Sequence, residues 1–273
     1  MAAGRATPSH IDTTKASIAR VYDAALGGKD NYEVDRQTVE KLKTVAPEIE
    51  QFTVDHRAFL IRATRFLAGE AGIRQFLDCG SGLPTAENTH QVAQRLRPDA
   101  RVVYVDNDPT VIAHGQALLV DNDRTMFSPA DIFDPANVVG DPAVRRFLDF
   151  DEPIALFQLG TLHHYDDPAR SPQSIMEEYV DALPSGSYVA VSHFLDPEDS
   201  DSELARRLED VFVHSPMGSG RFRTRSEIAG MFPGCEMIDP GIELCVRWWP
   251  DGPAIKPLAP AQRCIVGGIG RKP

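Results

Sequence analysis

Apolar positions along the chain recur with two periods, and the change falls after about residue 70. Ile18, Val21, Tyr22, Ala25 and Leu26 return every three or four residues behind the polar capping candidates Asp12, Thr13 and Thr14, which predicts a helix stopping at Gly27-Gly28. A second helix is predicted over Glu33 to Val45, with Val34, Leu42 and Val45 inward and Pro47 past its end. A third runs from Glu48 to Leu67 on Ile49, Phe52, Phe59, Leu60, Ala63 and Phe66, with Gly69 as its stop.

From Gln75 onward, short runs rich in β-branched and aromatic residues alternate with helical spacing. Strands are predicted at Gln75–Cys79, Arg101–Val105, Thr125–Ser128, Ile154–Leu159, Tyr188–Phe194, Glu236–Val246 and Cys264–Gly268. Helices are predicted in most of the gaps, at Asn88–Leu96, Pro109–Leu119, Ala143–Leu148, Ser174–Leu183, Asp201–Val213 and Thr224–Phe232. This alternation predicts an α/β fold with a doubly wound, mostly parallel seven-stranded sheet and helices on both faces. The last two strands are joined by the Pro-rich stretch Pro250 to Pro260, which lacks a helical pattern, so an antiparallel edge strand is expected there. No repeat, low-complexity tract or linker divides the chain. Residues 1–70 read as an N-terminal helical cap and 71–273 as the α/β core, together one structural domain.

Composition narrows the function classes. The 273 residues are 42% hydrophobic, enough to build a core, and carry 28 Lys+Arg against 40 Asp+Glu for a net charge of −12. Such an acidic balance repels a polyanion, so no nucleic-acid partner is expected. No basic start followed by an apolar run and no stretch of about 18 apolar residues occurs, so neither export nor a membrane span is expected and the protein reads as cytoplasmic. Cys79, Cys235, Cys245 and Cys264 lack CxxC spacing and read as reduced thiols.

The chemistry gathers after the first predicted strand. Asp78-Cys79-Gly80-Ser81-Gly82 is a Gly-rich turn ahead of a helix, where glycine lets the backbone approach a ligand. The next strand ends in Val105-Asp106-Asn107-Asp108, with Asp106 24 residues after Gly82, placed to accept both hydroxyls of a ribose. A dinucleotide site wants a third glycine, but Pro84-Thr85 stand there. Asp78 would repel a diphosphate and attract an ammonium or sulfonium cation, so the DxGxG combination suits S-adenosylmethionine.

With these motifs the chain resembles the class I S-adenosylmethionine-dependent methyltransferases. More closely, it is similar to an actinobacterial group once labelled a domain of unknown function and now called the S-adenosyl methyltransferase family. The resemblance also rests on Ile18-Ala19-Arg20-Val21-Tyr22-Asp23, Leu26-Gly27-Gly28-Lys29-Asp30-Asn31-Tyr32, Arg57-Ala58-Phe59-Leu60 and Asp239-Pro240-Gly241. It implies a Rossmann-like fold in which Asp78, Gly80 and Gly82 hold the methionine end of the cofactor, Asp106 the ribose and Asp131 the adenine amino group, with Ser81, Asn107 and Ile132 also in the cofactor site. Gln158, Leu159, Arg20, Tyr22 and Tyr32 complete the expected cofactor set. Asp131 and Asp134 serve equally well as caps before Pro135.

After the fourth strand, Leu162-His163-His164-Tyr165-Asp166 stands where class I enzymes present the methyl donor, and it lacks the Asn/Asp-Pro-Pro-Tyr/Phe motif of DNA and protein-glutamine enzymes. His163 or His164 is a candidate general base or positioning group, because imidazole titrates near neutrality. Tyr165, His193 and Trp248 are candidate acceptor-binding residues. The histidines with Asp166 and Asp167 have no tight ligand spacing, so no metal is expected. The cap residues flanking Gly27-Gly28 read as a hinged lid or as a capped polar turn. Arg221, Arg223 and Arg225 suit an acidic substrate or a solvated face, and Thr224 with Glu227 a capping box. The expected function is methyl transfer from S-adenosylmethionine to an O, N or C nucleophile of a small molecule. The alternatives are an NAD(P)-dependent oxidoreductase and a regulatory protein that binds the cofactor without turnover.

Overall fold

A computed structural model describes residues 11–273 apart from 86, 121, 254 and 255, so residues 1–10 of the expected cap and two positions of the Pro250–Pro260 stretch lie outside the described residues. Among the described residues three helices come first: α1 (Ile18–Ala25), α2 (Glu33–Val45) and α3 (Ile49–Arg65), the last continuing into one π turn at Phe66–Glu70. The cap of α1 is Ser17, whose hydroxyl accepts from the Arg20 amide at 3.3 Å, and not the Asp12–Thr14 group.

The Leu-Gly-Gly-Lys-Asp-Asn segment closes into a ring around Asp23. The buried Asp23 carboxylate accepts from the Asp30 amide at 2.9 Å and from Asn31 Nδ2 at 2.8 Å. A Cβ on Gly28 would lie 2.0 Å from Asp23 Oδ1, so only glycine lets the carboxylate sit there. Gly28→Ala is expected to destabilise the fold by roughly 2–4 kcal/mol, combining overpacking with weakened hydrogen bonds to a charged group. Urea unfolding checks this, and a loss within about 0.5 kcal/mol, the range of neutral surface changes, contradicts it.

The sheet follows with β1 (Gln75–Cys79), α4 (Thr89–Leu96), β2 (Arg101–Val105), α5 (Pro109–Leu118), β3 (Thr125–Ser128), α6 (Pro135–Val139), α7 (Pro142–Phe147), β4 (Ala155–Leu159), α8 (Pro172–Ala182), β5 (Tyr188–Phe194), α9 (Ser202–His214), α10 (Arg225–Ala229), β6 (Glu236–Met237), β7 (Glu243–Leu244) and β8 (Ile265–Arg271). Strands are ordered β3-β2-β1-β4-β5-β8-β6, with the first five parallel and β8 antiparallel to β5. The described residues form eight strands where seven were expected, because the run Glu236–Val246 is cut at Asp239-Pro240-Gly241 into β6 and β7, both paired with β8. Pro240 has no N–H for a ladder and Gly241 has φ +80, so the chain turns there. The short α6, capped by Asp134, is an element the periodicity missed.

Side chains alternate between the faces of the sheet. Phe76, Val102, Tyr104, Phe157 and Ala190 pack with α1 to α3 on one face, while Leu77, Val103, Leu156, Val189 and Val191 pack with α6 to α8 on the other. Among the described residues no helix is long and apolar enough to cross a membrane.

Candidate active site

A cavity of about 510 Å³ opens between the helices α1 to α3 and the C-terminal ends of β1, β2 and β4, within the usual range for ligand pockets of roughly 300–1,000 Å³. It spans the β1/β4 junction, where the strand order reverses and open α/β sheets bind ligands. Gly80 and Gly82 turn the chain at φ +75 and +64. A Cβ on Gly80 would strike Thr161 Cγ2 at 2.3 Å, whereas one on Gly82 would meet nothing within 4 Å. The first glycine thus serves packing against the turn after β4 as well as chain direction, and the second keeps a left-handed turn open.

Two carboxylates face this turn. Asp78 is 5% exposed, accepts from Thr89 Oγ1 at 2.6 Å, and burial pushes its pKa up to about 6, with the Thr89 bond and the Arg57 guanidinium pulling the other way. Asp106 is also pushed up to about 6 by burial, against the pull of backbone N–H groups, since Oδ2 accepts from Gly82 N and Oδ1 from Asp108 N, both at 2.9 Å. Asp131 is exposed at the rim and accepts from Phe133 N at 2.9 Å, so it caps its own turn while lining the cavity.

Of the residues expected at the site, Tyr22, Asp78, Gly80, Ser81, Gly82, Asp106, Asn107, Asp131, Ile132, Leu159, His163 and His164 line the cavity. Six others do not. Arg20 is buried against Asp35, with Nε 2.9 Å from Oδ2, and Tyr32 is 39% exposed beneath the same guanidinium, so both serve the cap. Gln158 points to the far face of the sheet and accepts from Thr161 Oγ1 at 2.6 Å. Tyr165 packs on Phe133 at 4.9 Å outside the lining. His193 donates from Nδ1 to Phe194 O at 2.7 Å and accepts on Nε2 from Arg223 Nη1 at 2.9 Å, which fixes it as a neutral structural histidine. Trp248 is fully buried, edge-on to Phe59 at 5.3 Å, under α3.

The arginines after α9 brace the site from behind. Arg223 donates to Leu162 O at 3.1 Å and Tyr165 O at 3.0 Å, and Arg221 pairs with Asp166 and Glu209. They hold the turn that carries His163 and His164, and the Thr224–Glu227 capping box starts α10. His163 stacks flat on Phe194 at 3.5 Å. Burial holds it far below the ordinary imidazole value, helped by His164, His193, His56 and Arg223. His164 bonds Ser219 Oγ at 3.0 Å and is pulled down to about 4 by burial.

Periodicity did not single out His56 or Arg57, though both line the cavity. His56 Nδ1 lies 2.8 Å from Tyr22 Oη and Nε2 2.6 Å from Ser192 Oγ. Arg57 belongs to the Arg-Ala-Phe-Leu segment shared with the resembled group, and that was the available signal.

The lining suits S-adenosylmethionine. Asp78, Asp106 and Arg57 line one cavity and are groups of the kinds that suit ammonium, ribose hydroxyl and carboxylate groups of a ligand, and the Ser81 hydroxyl is buried in the turn with no hydrogen-bond partner among the described residues. No curated protein matches the chain. A solved structure of a protein from Thermobifida fusca YX is 42% identical, covers 96% of each chain and superposes with a TM-score of 0.90. A DUF574 family protein from Streptomyces avermitilis MA-4680 is 35% identical over 97% of this chain and all of its own, also at 0.90. Human N-acetylserotonin methyltransferase, solved with S-adenosylmethionine, shares the fold at 18% identity and a TM-score of 0.50, over 92% of this chain and 62% of its own. The sequence profile of the S-adenosyl methyltransferases matches residues 4–273. That span takes in the cap, the DxGxG turn and the edge strands together, and the chain belongs to the S-adenosyl methyltransferase family, enzymes that use S-adenosylmethionine as methyl donor.

Proposed function

We propose that the protein transfers a methyl group to an O, N or C nucleophile of a small molecule held under the N-terminal helices. The observation that carries this reading is the placement of Asp78, Asp106 and the Gly80–Gly82 turn on one cavity that α1 to α3 roof over. When bound, S-adenosylmethionine supplies an already activated methyl on a sulfonium, so alignment of two bound reactants provides most of the rate. Asp78 takes the ammonium end, Asp106 the ribose and Asp131 the adenine edge. A concave, mostly apolar cavity of this size under the helices fits a small molecule better than a polymer. His163 and His164 shape the acceptor wall. Buried thiols at Cys79, Cys245 and Cys264 fit a reducing compartment and support the cytoplasm.

Thermal unfolding with S-adenosylmethionine, S-adenosylhomocysteine and NAD side by side tests the reading. Ligand at a hundred times its Kd stabilises the native state by about 2.7 kcal/mol. Stabilisation by the first two and not by NAD is expected, and no response to S-adenosylhomocysteine overturns the assignment.

A further inference from the structure

The cavity is chemically divided. Its carboxylates, Asp78, Asp106, Asp108 and Asp131, all stand at the strand ends and turns of the sheet. The opposite half is walled by Leu42, Ile49, Phe52, Leu60, Phe194 and Phe212. Arg57 donates to Glu87 O at 2.9 Å and draws Asp78 toward its ionised form, which places it with the polar half. Tyr22 and His56 mark the boundary, edge to face at 5.6 Å. His56 presses on the end of β4, where a Cβ on Gly160 would lie 2.9 Å from its Cε1.

Resting on the cofactor reading above, we propose that the apolar half binds an uncharged, apolar acceptor bearing a hydroxyl, a phenol or hydrophobic alcohol, and that Tyr22 and His56 take its proton. A charged acceptor would be buried there without a counter-charge, which is strongly unfavourable. With its proton on Nε2, His56 donates to Ser192 Oγ and accepts from the Tyr22 hydroxyl, leaving the lone pairs of Tyr22 Oη for the acceptor O–H. The acceptor oxygen bonds to the methyl carbon as the C–S bond breaks, its electron pair staying on sulfur. The acceptor proton passes to Tyr22 Oη and the Tyr22 proton to His56 Nδ1. One positive charge is lost at sulfur and one appears on the imidazole, so the net charge of the buried site does not change, and the proton leaves to water as products depart. Burial holds His56 at about 4, so the ring is neutral before each turnover.

Calorimetry with S-adenosylhomocysteine comes first, and failure to bind strikes the cofactor reading alone. The loaded protein is then titrated with 2-naphthol, naphthalene and naphthalene-2-carboxylate. At least tenfold tighter binding of 2-naphthol than of the carboxylate is expected. Tyr22→Phe should abolish the advantage of 2-naphthol over naphthalene, and with S-adenosylmethionine it should slow formation of 2-methoxynaphthalene by about 100-fold, the usual share of a general base. If Tyr22→Phe also loses S-adenosylhomocysteine, Ser192→Ala, which cuts the chain at its far end, must reproduce the slowing. Equal or tighter binding of the carboxylate, no binding of 2-naphthol, or unchanged turnover in these variants overturns the proposal.

Discussion

Replacing Asp35 by alanine is expected to cost roughly 3–5 kcal/mol of stability, because it strands a buried guanidinium without its counter-charge. Asp35 and Arg20 are 0% and 3% exposed, so water does not screen them. One carboxylate oxygen accepts from Arg20 Nε at 2.9 Å and from Tyr32 N at 2.8 Å, and the other from Ser17 N at 3.1 Å. Arg20 also reaches Thr110 Oγ1 on α5 at 3.2 Å, so one ion pair ties α1 and α2 to the Rossmann-like core. Domains are stable by about 5–15 kcal/mol, which makes the expected loss a large fraction of the whole. Urea unfolding should show a lower midpoint with an unchanged slope. Combining Arg20→Met with Asp35→Leu should recover most of the loss, since an apolar pair of similar volume often substitutes well for a buried ion pair. A cost below about 1 kcal/mol would mean that the pair behaves like a surface salt bridge.

The same pair shows where sequence reasoning reads the fold and misplaces a residue. Residues 75–79, 101–105, 125–128 and 188–194 form the strands that their apolar runs predict, because a buried parallel strand needs a continuous hydrophobic stretch. Arg20 and Tyr32 sit in a segment rich in polar and aromatic types, which local pattern cannot distinguish from a ligand cradle. Their partners, Asp35 and Thr110, are 15 and 90 positions from Arg20, and no periodicity reports a pairing over that distance. The break in the predicted strand Glu236–Val246 was written in Asp239-Pro240-Gly241, residues that punctuate a strand rather than continue it.

At the site, the turn residues were legible because their requirement is local: glycine for the left-handed turns, a carboxylate at each strand end. Orientation across the sheet was partly legible too. Along β5, Val189 and Val191 face α8 while Ala190 and Phe194 face the cap, so the period of two already turns Ser192 toward the cavity and His193 away. Along β4, Phe157 faces the cap, which sends Gln158 to the other side. His56 was not legible, since on α3 it lies among core positions and gains its neighbours only when α1 and β5 close on it.

Cofactor affinity is expected to fall by about 10- to 100-fold between pH 7 and pH 5, roughly tenfold for each carboxyl that takes up a proton one unit above the final pH. Asp78 and Asp106 are both held at about 6 by burial, so both pass from ionised to protonated over this interval. The ionised forms suit a ligand with ammonium, sulfonium and ribose hydroxyl groups. Both oxygens of Asp106 already accept backbone N–H bonds, so an added proton has no acceptor of its own and displaces a donor. Stability of the unliganded protein runs the other way. A carboxyl raised from the ordinary 3.8 to about 6 binds its proton better in the folded chain, so the stability it contributes is complete below 3.8 and is lost as pH rises through about 6. Titrations with S-adenosylhomocysteine at pH 7, 6 and 5 in two buffers of different ionisation enthalpy should show proton release on binding near pH 6. Asp106→Ala should weaken binding at pH 7 by one to two orders of magnitude, the value of a charged acceptor hydrogen bond of about 1.5–3 kcal/mol. The variant should also lose one carboxyl's share of the pH dependence. Affinity independent of pH across this range, or unchanged in the variant, would remove Asp106 from the cofactor site.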